Sequence, residues 1–161
     1  MLKRTLVLCG AIVAFAAMVL PQESGGVSAA DIVAARQASL DMSSITLRFM
    51  SDAIKAGGDA RSQSYAAGAL AKWAKALPRM FPTGTGKGET PEKSQALPEI
   101  WRNRAGFTQA AANYADATAR LATLAAAGDT AAFTKQLEEV NQACSYCHAR
   151  YKEGAQGPPK K

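Results

Sequence analysis

An all-α fold, an antiparallel four-helix bundle, is predicted by three features of this 161-residue chain. Apolar residues recur at helical spacing in four stretches, Gly and Pro cluster between those stretches, and no credible strand pattern stands out. The many alanines favour helix and leave room inside a bundle for something bulky.

The first helix is expected from Asp31 to Ala56. There Ile32, Val33, Leu40, Leu47, Met50 and Ile54 keep a period near 3.6 until Gly57-Gly58 stops the run. Asp59 offers an N-cap to a second helix from about Ala60 to Leu77, which Pro78 and Pro82 prevent from continuing. Residues 78–97, rich in Gly, Pro and Thr, form the one long connection. Pro98 suits the first turn of a third helix, which runs through Ile100, Trp101, Phe107, Tyr114, Leu121 and Leu124 to about Ala127. Gly128-Asp129 ends it and caps a fourth, from about Thr130 to Glu153, closed by Gly154 and Pro158-Pro159. Short connections around one long loop fit an antiparallel arrangement whose facing helices can build a site within the bundle.

Ahead of these elements, Lys3 and Arg4 precede an apolar run from Leu6 to Leu20 and the small-x-small triplet Val27-Ser28-Ala29. This pattern is a secretory signal peptide, residues 1–29, leaving one domain over residues 30–161. An uncleaved anchor is the alternative, although the run falls short of the roughly 20 apolar residues that a span needs. Cys9 has no small residue before it, which argues against a lipid anchor there. The formal net charge is +6, and removing Lys3, Arg4 and Glu23 lowers it by one. These charges are dispersed along the chain and read as a solvated exterior. Without a clustered basic stripe or a binding motif in the sequence, nucleic acid is not indicated.

The chemistry concentrates in Ala143-Cys-Ser-Tyr-Cys-His-Ala-Arg-Tyr-Lys152, which holds the only histidine and two of the three cysteines. Positions three and four apart share a helical face, so Cys144, Cys147 and His148 point the same way. Two thiols that can form thioethers with haem vinyl groups, followed at once by an imidazole that can reach the iron, are the elements of c-type haem attachment. Three alternatives fit less well. A zinc site wants four ligands, and an Asp or Glu would have to complete it. A redox dithiol belongs beside a strand, and a disulfide between Cys144 and Cys147 is badly placed on one helical turn.

Position then selects a family. Only 14 residues follow Cys147, too few to assemble the common small cytochromes c, whose attachment motif lies near the N-terminus. From Asp31 to Lys152 the chain resembles class II c-type cytochromes, the cytochrome c′ and cytochrome c556 family. The resemblance is carried by Arg36-Gln-Ala-Ser-Leu40, Phe81-Pro-Thr-Gly-Thr85, Leu97-Pro-Glu-Ile-Trp101 and the cysteine-histidine segment. It implies one haem c covalently bound near the C-terminal helix, with Arg36 and Gln37 in the haem environment beside the propionates, Leu40 on the distal face and Lys152 on the proximal side. It also implies redox partner proteins, export to a Gram-negative periplasm with only transient membrane contact, and a homodimer.

One question divides that family: whether the sixth iron position is filled. In the low-spin branch a Met occupies the position matching Leu40. Met42 is about 200° around the helix from Leu40, and Met50 roughly 15 Å along it. Met80 lies in the long loop. The expectation is a five-coordinate, high-spin haem with His148 as its axial ligand, and the alternative is a six-coordinate, Met-ligated electron carrier. An apolar distal face offers no hydrogen bond to dioxygen, which favours nitric oxide or carbon monoxide. Met42 shares a second apolar stripe with Ala35, Ala38, Ile45 and Phe49, a candidate dimer face. Electron carriage and gas binding both survive as uses; an enzyme is not expected, because no acid-base pair is visible around Leu40.

Overall fold

Capping chemistry sets the helix boundaries in the computed structural model, which describes residues 26–155. Helix α1 (Ala29–Lys55) starts from a capping box in which Ser28 Oγ accepts from the Asp31 N–H at 3.1 Å and the Asp31 carboxylate accepts from the Ser28 N–H at 3.2 Å. The expected signal segment 1–29 lies outside the described residues except for Gly26 to Ala29. At the other end Gly57 takes a φ of 88°, a left-handed conformation that a residue without a Cβ adopts freely.

The second expected helix is shorter than its sequence pattern. Asp59 Oδ1 accepts from the Ser62 N–H at 3.0 Å, tightening Arg61–Gln63 into a 3₁₀ turn ahead of α2 (Ser64–Ala76). Pro78 has no N–H to give, and the chain leaves α2 through a second 3₁₀ turn over Leu77–Met80.

The third expected helix is two helices, α3 (Glu99–Arg102) and α4 (Arg104–Ala127), broken at Asn103. Asn103 (φ −117°, ψ 59°) turns its side chain back to accept the Gly106 N–H at 3.0 Å, so it caps α4 instead of continuing α3. A Cβ at Gly106 would come within 2.6 Å of that side chain, so the glycine makes room for the cap. Gly128 (φ 76°) then ends α4, and Asp129 caps α5 (Thr130–Tyr151) by accepting the Ala132 N–H at 2.9 Å.

Each long helix turns a seam of alternating three- and four-residue steps inward. The seams are Val33, Arg36, Leu40, Ser43, Leu47, Met50 and Ile54 on α1; Ala67, Leu70 and Ala74 on α2, continuing to Leu77; Phe107, Ala111, Tyr114, Thr118, Leu121 and Ala125 on α4; and Phe133, Leu137, Val140, Cys144, Cys147 and Tyr151 on α5. This is the spacing that lets helices interdigitate at shallow angles. Helix α4 packs closely along α2 on one side and along α5 on the other, whereas α1 meets α2 and α5 over short stretches. The result is the four-helix bundle that the periodicity predicts, with the short α3 as an addition.

The long loop is held from both sides. Arg36 of α1 is 2% exposed. Its Nη1 donates to Met80 O at 2.9 Å and Thr85 Oγ1 at 3.0 Å, and its Nη2 to Thr85 O at 2.8 Å and Ser94 Oγ at 2.9 Å. The guanidinium also lies 4.3 Å from the centroid of the Phe81 ring. Phe81 meets Phe107 edge-on at 4.9 Å, and Phe107 meets Tyr151 at 5.3 Å, so the contact passes from α1 through the loop to the end of α5. There the Leu97 N–H donates to Tyr151 O at 3.0 Å, the Glu153 N–H to Gln95 O at 2.8 Å, and Lys87 pairs with Glu153.

Replacing Arg36 by Leu removes the donor from four oxygens at once and should cost about 3 kcal/mol in urea unfolding. Cleavage by added protease should rise within residues 81–97. Arg36→Lys should recover less than half the loss, since one ammonium cannot reproduce the planar fork. An unchanged midpoint with unchanged cleavage would mean that the loop is held by other contacts.

Candidate haem-attachment site

Cys144 and Cys147 occupy the two seam positions of α5 that follow Val140, where large apolar residues stand earlier in the helix. The seam carries their thiols inward, and both are half-buried against the core. Burial pushes each thiol up to about 11, and for Cys147 the neighbouring Cys144 adds to the effect. Both cysteines are free, which disfavours the disulfide alternative. Among the described residues no cluster of three or more His, Cys, Asp and Glu side chains is placed to hold a metal ion, so a zinc site lacks its donor set.

His148 follows on the same turn and is half-buried. Burial lowers its pKa first and the Lys152 ammonium lowers it further, so the neutral imidazole, the form that ligates a metal, is favoured. Lys152 itself differs from expectation. The fourth helix was expected to reach Glu153 and place Lys152 on the His148 face, but α5 ends at Tyr151 and Lys152 is extended, at φ −121° and ψ 131°. The reason is the backbone pairing of Ala96 with Lys152, which draws the chain out of the helix and toward the loop. The Lys152 N–H still donates to His148 O at 3.1 Å, and the exposed ammonium acts on the imidazole through space.

On the facing helices, Leu40 is half-buried on the inward seam of α1 and packs against the core. Of the methionines, Met42 is 60% exposed on the opposite face of α1, and Met50 is fully buried farther along the inward seam. Met80 lies half-buried in the turn after α2, its carbonyl bonded to Arg36. Arg36 and Gln37, expected together, both reach the loop: the Gln37 amide donates to Lys93 O at 2.9 Å, while Arg36 serves Met80, Thr85 and Ser94.

The sequence reading left out three side chains of this region. Tyr114, in sequence one of the periodic positions of the third expected helix, has its hydroxyl near Cys144 and Ser43; burial, then the Cys144 thiol, raises its pKa, and Ser43 opposes the rise. It marks the level at which α1, α4 and α5 face one another. Thr85 and Ser94, both buried, supply the acceptors that hold Arg36. Thr85 was visible as the end of the Phe81–Thr85 motif, but Ser94 carries no signal in sequence.

The residues fit a covalently held haem. Two neutral thiols and a neutral imidazole leave one face of α5 over a single turn, opposite an α1 that closes only loosely on its neighbours.

Comparison with known proteins agrees. The family model described as Cytochrome C′ matches residues 31–152. Cytochrome c-554 of Cereibacter sphaeroides is 36% identical over 77 residues, 47% of this chain and 48% of that protein, so this match spans about half of the relative's length. Among solved structures, cytochrome c′ from Rubrivivax gelatinosus superposes with a TM-score of 0.69 at 25% identity, covering 78% of this chain and 97% of that one. A ferrous variant of cytochrome c prime from Alcaligenes xylosoxidans with bound NO gives 0.69 at 26% identity, covering 79% and 97%. The seams, the C-terminal attachment segment and these matches agree: the chain belongs to the cytochrome c′ family of haem c proteins.

Proposed function

We propose that this protein is an exported, periplasmic haem c protein that carries single electrons and binds nitric oxide or carbon monoxide at a five-coordinate, high-spin iron, and that it is not an enzyme. The observation that carries the coordination reading is on α1: Leu40, which cannot ligate a metal, holds the inward position, while Met42 faces solvent at 60% exposure. The nitric oxide complex of the Alcaligenes xylosoxidans neighbour supports the choice of ligand. None of the helices among the described residues is long and apolar enough to cross a membrane, which is compatible with an exported protein that touches membranes only in passing.

When bound, haem c supplies a one-electron iron couple and an iron face at which a small gas can bind. Cys144 and Cys147 would hold it covalently, through thioether bonds from their two thiols. His148 would supply the imidazole nitrogen that binds its iron, kept neutral by burial and by Lys152. Leu40 would cover the distal face, excluding water and offering no hydrogen bond to a polar ligand. Arg36 and Gln37 would set the environment of the propionates through the loop they hold.

The second apolar stripe of α1 supports a homodimer. Ala35, Ala38, Met42, Ile45 and Phe49 are all exposed, the last three at 60, 58 and 63%, on the side away from the inward seam.

Three measurements test this reading. Ferric and ferrous absorption spectra should be high-spin and should shift on adding nitric oxide or carbon monoxide; a low-spin spectrum with a Met-sulfur charge-transfer band would overturn the five-coordinate site in favour of the Met-ligated carrier. Cys147→Ala should leave haem held by one thioether, seen as an altered pyridine haemochrome band, and full attachment through two bonds would refute the assignment. Phe49→Glu should weaken self-association by about tenfold or more in sedimentation equilibrium while leaving the spectrum unchanged.

A further inference from the structure

The fold leaves one run of cations in solvent, along the outer side of α2 and the 3₁₀ turn that follows it. Lys72, Lys75 and Arg79 stand three and four residues apart and are all exposed. Tyr65, 91% exposed, lies seven residues before Lys72 on the same stripe. Between Asp59 and Glu89 the chain has no acidic residue at all. Arg104 adds a cation at the end of the stripe, since its Nη2 donates to Pro78 O at 2.9 Å beside Arg79. Neither ion pair among the described residues, Lys55–Asp52 or Lys87–Glu153, involves Lys72, Lys75 or Arg79, so their field reaches solvent uncompensated by a carboxylate partner.

We infer that this stripe, from Tyr65 to Arg79, is the docking surface for an acidic protein redox partner. The inference rests on the electron-carrier reading above. A row of like charges steers an oppositely charged protein toward one face and raises the association rate, with a strong dependence on salt. Tyr65 supplies what the lysines lack, a rigid aromatic that can be buried at the centre of a contact. A bilayer is the poorer occupant. Surface-bound helices insert an apolar face, and the apolar face of α2, formed by Ala67, Leu70 and Ala74, is already buried in the bundle.

The test uses the haem-loaded protein and reduced flavodoxin as a defined acidic donor. The face variant Lys72→Glu/Lys75→Glu/Arg79→Glu is compared with Lys55→Glu/Arg120→Glu/Lys135→Glu, which makes the same charge change at exposed positions on α1, α4 and α5. The second-order rate of haem reduction at low ionic strength should fall at least tenfold in the face variant and less than threefold in the control, the rates converging as salt rises. Amide shifts of the ¹⁵N-labelled wild type on adding flavodoxin should cluster over residues 65–79. Equal losses in both variants, shifts centred elsewhere, or no shifts at millimolar flavodoxin overturn the proposal. So does a face variant that loses co-sedimentation with phosphatidylglycerol vesicles but keeps its rate and shifts with flavodoxin. Shifts confined to residues 65–79 without any haem reduction would uphold the docking surface and refute the electron-carrier reading.

Discussion

A buried guanidinium with no carboxylate beside it constrains the region around the site. Arg36 sits on the inward seam of α1, where a cation is costly to desolvate, and burial lowers its pKa accordingly. What makes the position tenable is a set of neutral oxygens from Met80, Thr85 and Ser94, with the Phe81 ring alongside. Those partners all belong to the one long connection. The loop therefore takes its conformation by closing around Arg36, and Arg36 tolerates burial because the loop closes.

That reciprocal constraint reaches the other end of the site. The loop that holds Arg36 also pairs with the end of α5 through Gln95, Ala96 and Leu97, one turn beyond the imidazole. Phe81, Phe107 and Tyr151 carry the same link through the core by edge-to-face contacts. Helices α1 and α5 are thus tied at one end of the bundle by a segment without regular structure. Along the rest of its length α1 meets its neighbours over short stretches, its inward seam buried and its outward stripe of Met42, Ile45 and Phe49 in solvent.

The two faces of α1 show why pattern reading succeeded there. Seams offset by two residues are about 200° apart on a helix, so the spacing puts Leu40 and Met42 on opposite sides of α1, and exposure agrees. The caps were legible for a similar reason, since Asp59, Gly128 and Asp129 act within three or four residues of themselves. Asn103 is the instructive failure. Its cap is equally local, but Ile100, Trp101 and Phe107 keep an apolar spacing that runs on across the break, and periodicity hid it. Lys152 failed differently: the helical pattern there was sound, and a strand-like pairing with Ala96, 56 residues earlier in the chain, overrode it.

By itself the sequence determined the helices, their inward faces, and the single turn that brings two thiols and an imidazole together, because each depends on spacings of three or four residues along one chain segment. The tertiary structure alone decided that Arg36 spends its hydrogen bonds on the loop, that Tyr114 stands by Cys144, that Lys152 leaves the helix, and that the side of α2 carrying Lys72 and Lys75 is the one left in solvent. The first three join residues far apart in the chain, for which local spacing carries no signal. The last depends on which face of a helix the core claims, and burial of the opposite side left the cations of α2 in solvent.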